Sequence, residues 1–311
     1  MPEILTLKNY SLDLQKGSLK YGVISSVDLY IGRGEIVGLI GESGSGKSML
    51  WKSVLGLLDS QRWKCRGERT LNREDVAVIL QDPMNAFDPV FKIEHHFIET
   101  AKAHRSWSDK TIRSKAAELL HRMNIRQPDK VLKMYPFQCS GGMLQRIMIA
   151  MAVMLDTALI IADEPTTSVD ITAQREIISM LEEINREQGA SILYISHDLR
   201  IMENIADRIY VMYAGYMVES FPSEALREGG AKHPYTIKLL QSRPSYSRDY
   251  LPVMKGNPPT LSERQTGCPF APRCDHAVEK CRLFDMGETV VGRGHHIRCC
   301  RAEVLNESDR T

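Results

Sequence analysis

No stretch of this sequence is long and apolar enough to cross a membrane. The longest apolar runs, such as Ile147–Leu155, fall well short of the roughly 20 residues a spanning helix needs. Charge of one sign is also missing. Forty Lys and Arg stand against 39 Asp and Glu, a net charge of +1, so no global basic field exists to hold nucleic acid or an acidic membrane surface. The opening Met1-Pro2-Glu3-Ile4 has neither a positive n-region nor an apolar h-region, and no signal peptide is expected. Internal repeats and low-complexity tracts are absent as well. What is present is ordinary for a globular protein: 311 residues, 43% hydrophobic and 25% charged, enough for one large domain or two unequal ones.

Two textures divide the chain. Up to about residue 240, strand-like apolar runs alternate with helical stretches. Ile36–Ile40, Val76–Leu80, Leu159–Ala162 and Ser191–Ile195 read as strands that are apolar on both faces, which suits a parallel sheet covered by helices. Between them, helical patterns such as Thr111 to Met123 and Leu144 to Leu155 dominate, so a helical subdomain over about 88–157 is expected inside an α/β core. From Ser242 onward Pro244, Pro252, Pro258, Pro259, Pro269 and Pro272 break the periodicity. Residues 241–311 are expected to form a small extension with little apolar content of its own.

Gly41-Glu42-Ser43-Gly44-Ser45-Gly46-Lys47-Ser48 fits G-x-x-x-x-G-K-[ST] between a strand and a helix, the context that gives this pattern meaning. The glycines let backbone N–H groups curl around phosphates, Lys47 reaches the β/γ-phosphates, and Ser48 is placed to ligate Mg²⁺. No N-K-x-D guanine-reading motif is present. Further along, Asp163-Glu164 closes an apolar strand; Asp163 is placed to hold the Mg²⁺ shell and Glu164 to polarise the attacking water. Alone, such a dipeptide would be a solvated pair. Ser140-Gly141-Gly142-Met143 precedes an apolar helix and makes a second anion-accepting helix N-terminus. Gln81 and His197 also close strands, where open α/β sheets bind ligand.

The order phosphate loop, Gln81, Ser140-Gly141-Gly142-Met143-Leu144-Gln145-Arg146, Asp163-Glu164 and His197 resembles the ATP-binding cassette (ABC) family over about three quarters of the chain. The resemblance implies an α/β P-loop NTPase fold, an ABC nucleotide-binding domain over 1–240. It implies that Gln81 touches Mg²⁺ and couples to membrane subunits. Ser140, Gly141, Gly142 and Met143 become the signature that covers the partner's nucleotide, Asp170 the D-loop aspartate and His197 the switch histidine. Catalysis then falls to Glu164 and His197, with Mg²⁺ held by Ser48, Gln81 and Asp163. Two departures stand out. Met143 occupies a position where the family often has Gln. The aromatic that stacks on adenine is replaced by Leu14 in the most similar register, leaving Tyr21 or Tyr10 as substitutes.

Gln81-Asp82-Pro83, Val211-Met212-Tyr213-Ala214-Gly215 and His233-Pro234-Tyr235-Thr236 resemble the oligopeptide/dipeptide/nickel branch of importers. The turn around Tyr135-Pro136-Phe137 and the signature looks most like the nickel-type D subunit. Five of the seven cysteines lie in the last 44 residues. In reducing cytosol, clustered thiols bind metal more often than they form disulfides. Cys268, Cys274, Cys281 and Cys299 read C-x5-C-x6-C-x17-C, a set that suits zinc or an iron–sulfur cluster. The spacing is similar to the C-terminal extension of dipeptide-type subunits, which implies a [4Fe–4S] cluster, with zinc as the alternative and Cys300 a bystander. His295 and His296 read as exposed or supporting histidines.

The resemblance implies an ATPase that energises import of short peptides or nickel and metal–chelator complexes from the cytoplasmic face of the inner membrane. Its implied partners are a second, paralogous ATPase subunit, two transmembrane permeases and an extracytoplasmic solute-binding protein, with no nucleic acid. Two other classes compete: a soluble ABC ATPase outside transport, and an ATP-binding redox sensor. The first would carry two cassettes, a long coiled-coil insertion or a basic groove, none of which is visible. The second sits poorly with intact Lys47, Asp163, Glu164 and His197.

Overall fold

The computed structural model of the chain describes residues 3–167, 169–227, 230–242, 254–263 and 266–302. Pro244 and Pro252, and Ser168 beside Asp170, lie outside them. In chain order the described elements are β1 (Glu3–Lys16), β2 (Leu19–Gly32), β3 (Ile36–Ile40), α1 (Lys47–Leu55), β4 (Trp63–Thr70) and β5 (Val76–Ile79). There follow α2 (Pro83–Ala86), α3 (Ile93–His104), α4 (Asp109–Arg122), α5 (Pro128–Leu132) and α6 (Gly141–Met154). Then come β6 (Leu159–Asp163), α7 (Ile171–Gln188), β7 (Ser191–Ser196), α8 (Leu199–Ile205), β8 (Arg208–Tyr213) and β9 (Tyr216–Pro222). The last are α9 (Glu224–Arg227), α10 (Pro234–Gln241), β10 (Thr289–Gly292) and β11 (His295–Ile297). The four apolar runs read as strands are strands, and both helical patterns are helices.

Two compact units share these elements. One comprises Met1–Ile4, Ile31–Ile36 and Leu71–Ile195; the other comprises Leu5–Tyr30, Val37–Thr70 and Ser196–Thr311. In the first, β5, β6 and β7 run parallel, with Val76 opposite Leu159 and Leu159 opposite Ser191. Every residue of β6 and β7 is buried, as a strand covered on both faces must be. The elements between β5 and β6 are all helical. Ile112, Ala116 and Leu120 form the buried stripe of α4, and nine residues of α6 are buried. In α7, Ile177, Met180, Leu181 and Ile184 line one face, the spacing of an amphipathic helix. Gly189, at φ 67°, ends it, a left-handed stop that favours glycine. The Ser191 hydroxyl accepts from Gly34 N–H and donates to Gly32 O, which fastens the turn before β3.

The second unit holds the antiparallel sheet β2-β1-β4. It also holds β3 parallel to β8, with Val37 opposite Arg208. β8 turns back into β9 through Ala214 and Gly215, both at positive φ, as a tight hairpin requires. β11 pairs with β9 and β10 with β11, all antiparallel. Residues 289–297 thus extend the same sheet as β8 and β9.

Candidate nucleotide site

β3 is buried along its length and delivers Gly41 at its C-terminal end. Gly41 has φ 156°, and a Cβ there would stand 2.1 Å from the Met212 carbonyl oxygen, so only glycine fits. Gly46, also at positive φ, caps α1 without a side chain, leaving the first N–H groups of α1 aimed into the loop. Lys47 is buried, and its Nζ donates to Gly41 O at 2.8 Å and Glu42 O at 3.1 Å. The buried Ser45 hydroxyl has no hydrogen-bond partner among the described residues. An orphan hydroxyl donor at a helix N-terminus suits a phosphate.

Glu42 is gripped from outside the loop. Its N–H donates to Tyr235 Oη at 2.8 Å, and its carboxylate receives Arg273 Nη1 at 2.7 Å and Nη2 at 3.1 Å. Arg273 Nη1 also donates to Tyr213 Oη at 3.2 Å. Burial alone would lower the guanidinium pKa, but Glu42 and Tyr213 outweigh it and hold Arg273 charged. Burial pushes both tyrosines above their usual range.

In the first unit, β6 ends on buried Asp163. The next residue, Glu164, has φ 48°, a left-handed conformation that costs a non-glycine residue about 1–2 kcal/mol. Its N–H donates to Ile195 O at 3.0 Å, which fixes the turn against the end of β7. Gln81 Nε2 and Thr167 Oγ1 each donate to the Glu164 carboxylate at 2.9 Å. Gln81 and Glu164, 83 residues apart, therefore meet at the end of β6. Thr167 was not anticipated there.

Ser140 caps α6 by accepting from Met143 N–H at 3.3 Å. A Cβ added at Gly141 or Gly142 would meet nothing within 4 Å. Asp170 caps α7, accepting from Thr172 and Ala173 N–H at 2.9 and 3.0 Å. Those amides, Ala173 first, hold its carboxyl below the usual range. Ser140, Gly142, Met143 and Asp170 border one hollow, together with Arg126 and Arg146. Arg146 is ion-paired to Glu176. Arg146 closes the Ser140–Arg146 pattern read from the sequence, whereas Arg126 was missed, since nothing in its spacing ties it to the signature. His197 is exposed just after β7, next to Asp198, which caps α8 by accepting from Arg200 N–H. Of the adenine candidates, Tyr21 is half-buried on β2. Tyr10 is fully buried and bonded to the Ser53 hydroxyl at 3.2 Å, which removes it as a stacking surface.

Cys268, Cys274, Cys281, Cys299 and Cys300 line one small hollow of about 20 Å³ with His233 and Phe270. Cys300 belongs to this group and is no bystander: its Sγ lies 3.3 Å from Cys281 Sγ. Burial raises the Cys274 and Cys299 thiols and pushes Cys268 to about 11 and Cys300 to about 12. Among the described residues no three His, Cys, Asp or Glu stand close enough to hold a single metal ion. His295 is buried rather than exposed, its Nε2 2.8 Å from Glu219 Oε1. His296 pairs with Glu288 near the surface. No helix among the described residues is long and apolar enough to cross a membrane.

The ABC transporter family model matches residues 24–167, and the model of the oligopeptide/dipeptide transporter C-terminal region matches 218–281. The dipeptide transport ATP-binding protein DppD of Escherichia coli is 34% identical over 314 residues, covering 95% of this chain and 96% of that protein. The probable D,D-dipeptide transport ATP-binding protein DdpD of the same organism is 39% identical over 83% and 84% of the two chains. The oligopeptide transport ATP-binding protein AppD of Bacillus subtilis is 36% identical over 89% and 90%. Among solved structures, a dimeric ATP-binding cassette in a post-hydrolysis state with ADP and Pi superposes with a TM-score of 0.61 at 24% identity. It covers 70% of this chain and 98% of that one, and shows the shared fold. A loop shaped for phosphate, a carboxylate turn at a strand end and full-length likeness at this level place the chain in the ABC transporter family, among the ATP-hydrolysing subunits of its oligopeptide/dipeptide branch.

Proposed function

We propose that the chain energises import of short peptides, bound at the cytoplasmic face of the inner membrane to two permeases, a second ATPase subunit and an extracytoplasmic solute-binding protein. The observation that carries the hydrolytic part is the turn after β6. There a strained Glu164 follows buried Asp163 and presents a carboxylate already held by Gln81 and Thr167. Backbone amides of residues 43–48 and Lys47 take the β/γ-phosphates. Ser48, Gln81 and Asp163 would hold Mg²⁺, whose hard-oxygen preference their hydroxyl, amide and carboxylate oxygens suit, and which when bound neutralises phosphate charge. Glu164 orients the attacking water and accepts its proton, and His197 donates to the γ-phosphoryl oxygens. Tyr21 takes the adenine.

Ser140, Gly141, Gly142 and Met143 cap the nucleotide of the facing subunit, with Asp170 beside them and the helices of 88–157 carrying the signature. The open space over the two glycines, where an added Cβ would meet nothing among the described residues within 4 Å, supports this. Peptide is favoured over nickel, since the relatives described above are named for peptide transport. The nickel-type look of the signature turn finds no support there. A transport role is likewise favoured over a free-standing ATPase or a sensor. In the extension 241–311, Cys268, Cys274, Cys281 and Cys299 would hold a [4Fe–4S] cluster, with Cys300 close enough to compete. A hollow ringed by five thiols, of which Cys281 is buried and the others are half-buried, suits a cluster whose thiolates sit on separate irons, more than a single zinc ion.

Glu164→Gln tests the reading. The assembled transporter should still bind MgATP but lose hydrolysis by about 10²–10³-fold and accumulate the ATP-bound pair. Wild-type turnover would remove Glu164 from its role. For the solute, a titration of the cognate external binding protein decides: affinity for nickel complexes with none for di- or tripeptides would reject the peptide reading.

A further inference from the structure

Arg273 ties two parts of the second unit that sequence keeps 231 residues apart. Its side chain is 5% exposed and meets Glu42 with both terminal nitrogens, a fork geometry specific to guanidinium and carboxylate. Glu42 follows Gly41 directly, and its carbonyl oxygen is one of the two that hold Lys47 Nζ. With its N–H on Tyr235 and its carboxylate on Arg273, Glu42 has its backbone and side chain fixed from outside the phosphate loop. Any shift of Glu42 therefore moves an anchor of Lys47.

Arg273 in turn depends on the cysteine segment. It ends a single 3-10 turn, Ala271–Arg273, bounded by Cys268 and Cys274. Its Nε donates to Lys255 O at 3.0 Å, and its own carbonyl accepts from Lys238 Nζ at 2.8 Å. Lys238 also pairs with Asp275 at 2.9 Å, on the far side of Cys274. Between the two thiols, Phe270 packs edge-on against Tyr213 at 5.3 Å and Tyr235 at 5.4 Å, the other two groups in the grip on Glu42. A segment that frays between Cys268 and Cys274 takes Arg273 and Phe270 with it.

We propose that Arg273 is a positioning residue for nucleotide: through Glu42 it makes the shape of the phosphate loop depend on the folded state of the cysteine segment. This rests on residues 41–48 being the phosphate loop. The test is a double-mutant cycle on the full chain, purified anaerobically and titrated with a fluorescent ATP analogue in Mg²⁺. Arg273→Gln and Glu42→Gln should each weaken binding about tenfold, the double variant no more than the worse single one, and Arg273→Lys should recover part of the loss. Cys274→Ser should weaken binding in the wild-type background but not in Glu42→Gln. A loss that is additive, or an Arg273→Gln protein that melts and binds like wild type while Lys47→Ala abolishes binding, overturns the proposal. Normal binding by Lys47→Ala would instead overturn the phosphate-loop reading itself. If Arg273→Gln does not fold, the same cycle run with Arg273→Lys decides on the same criteria.

Discussion

Two helix N-termini in this chain present backbone amides, and they are built in opposite ways. At α1 the loop is closed from within. Gly41 has no room for a side chain, Lys47 is tied back to the loop carbonyls, and Glu42 is gripped by Tyr235 and Arg273. At α6 the glycines face open space and only Ser140 caps the helix. A Cβ added at Gly44 of the phosphate loop would also meet nothing within 4 Å, so open glycines are common to both termini, and what sets α1 apart is the grip on Gly41, Lys47 and Glu42.

Substitution at the two glycines breaks the comparison most directly. Gly41→Ala forces a clash with the Met212 carbonyl and should cost about 2–4 kcal/mol of stability, together with ATP binding. Gly142→Asp should leave stability within about 1 kcal/mol, because an acidic residue in the first turn of α6 suits the helix dipole. The same carboxylate would face the partner's triphosphate, so hydrolysis by the paired transporter should fall roughly 100-fold. Chemical denaturation and ATPase assays on both variants check this. A Gly142→Asp protein that hydrolyses ATP normally would mean that α6 faces no nucleotide.

The sequence made both termini legible but not this difference between them. Phosphate loop, Gln81, Asp163-Glu164 and the glycine pair are local patterns with local physics, and strand ends place them. The direct Gln81–Glu164 hydrogen bond was not read from the sequence, which placed each residue only at a strand end. What escaped were partners whose role depends on tertiary approach. Arg273 looked like one residue in a Pro-broken cysteine tail, and Tyr235 like a family marker in His233-Pro234-Tyr235. Cys300 fell outside a four-thiol spacing, and Tyr10 looked available until β1 buried it. Proline density and the thiols suggested an appended module, yet β10 and β11 obey the alternation of a sheet edge and pair beside β9. Strands of four and three residues, Thr289–Gly292 and His295–Ile297, carry too short a period to read.

Emptying the cysteine hollow tests whether the closed terminus is closed by that segment. Anaerobically isolated protein should carry about four irons per chain and a brown colour. Chelation of the iron, or Cys274→Ser, should raise amide exchange over 266–300 by about tenfold or more and over 41–48 by a smaller factor. Residues 140–146, in the other unit, should exchange as before. Mass spectrometry of exchanged peptides reads all three windows at once. Equal loosening at 140–146 would mean global destabilisation rather than a specific tie to α1. Colourless protein with stoichiometric zinc would replace the cluster by zinc and leave the exchange expectation intact.

The remaining effect expected is acid sensitivity, and its pH window separates the two termini. His233 is fully buried at the N-cap of α10, where its Nδ1 accepts from Tyr235 N–H at 3.1 Å. Burial pushes it down to about 4, against a partial counter-pull from Glu219. Between about 6.5 and 4 the unfolded chain binds a proton that the folded chain refuses, so stability rises with pH there and is lost on acidification, by at most about 3 kcal/mol. Asp170 behaves oppositely in cause and lower in range. Its amide bonds depress its carboxyl, so its contribution is intact above the unfolded value of 3.8 and is lost only as pH falls through the folded value. At pH 5, therefore, exchange should quicken around Tyr235 and Glu42 while the Asp170 cap of α7 stays protected. His233→Asn keeps a capping side chain without a titrating ring, and should flatten the slope of melting temperature between pH 6.5 and 4. An unchanged slope in that variant would assign the acid loss to another group and uncouple Tyr235 from it.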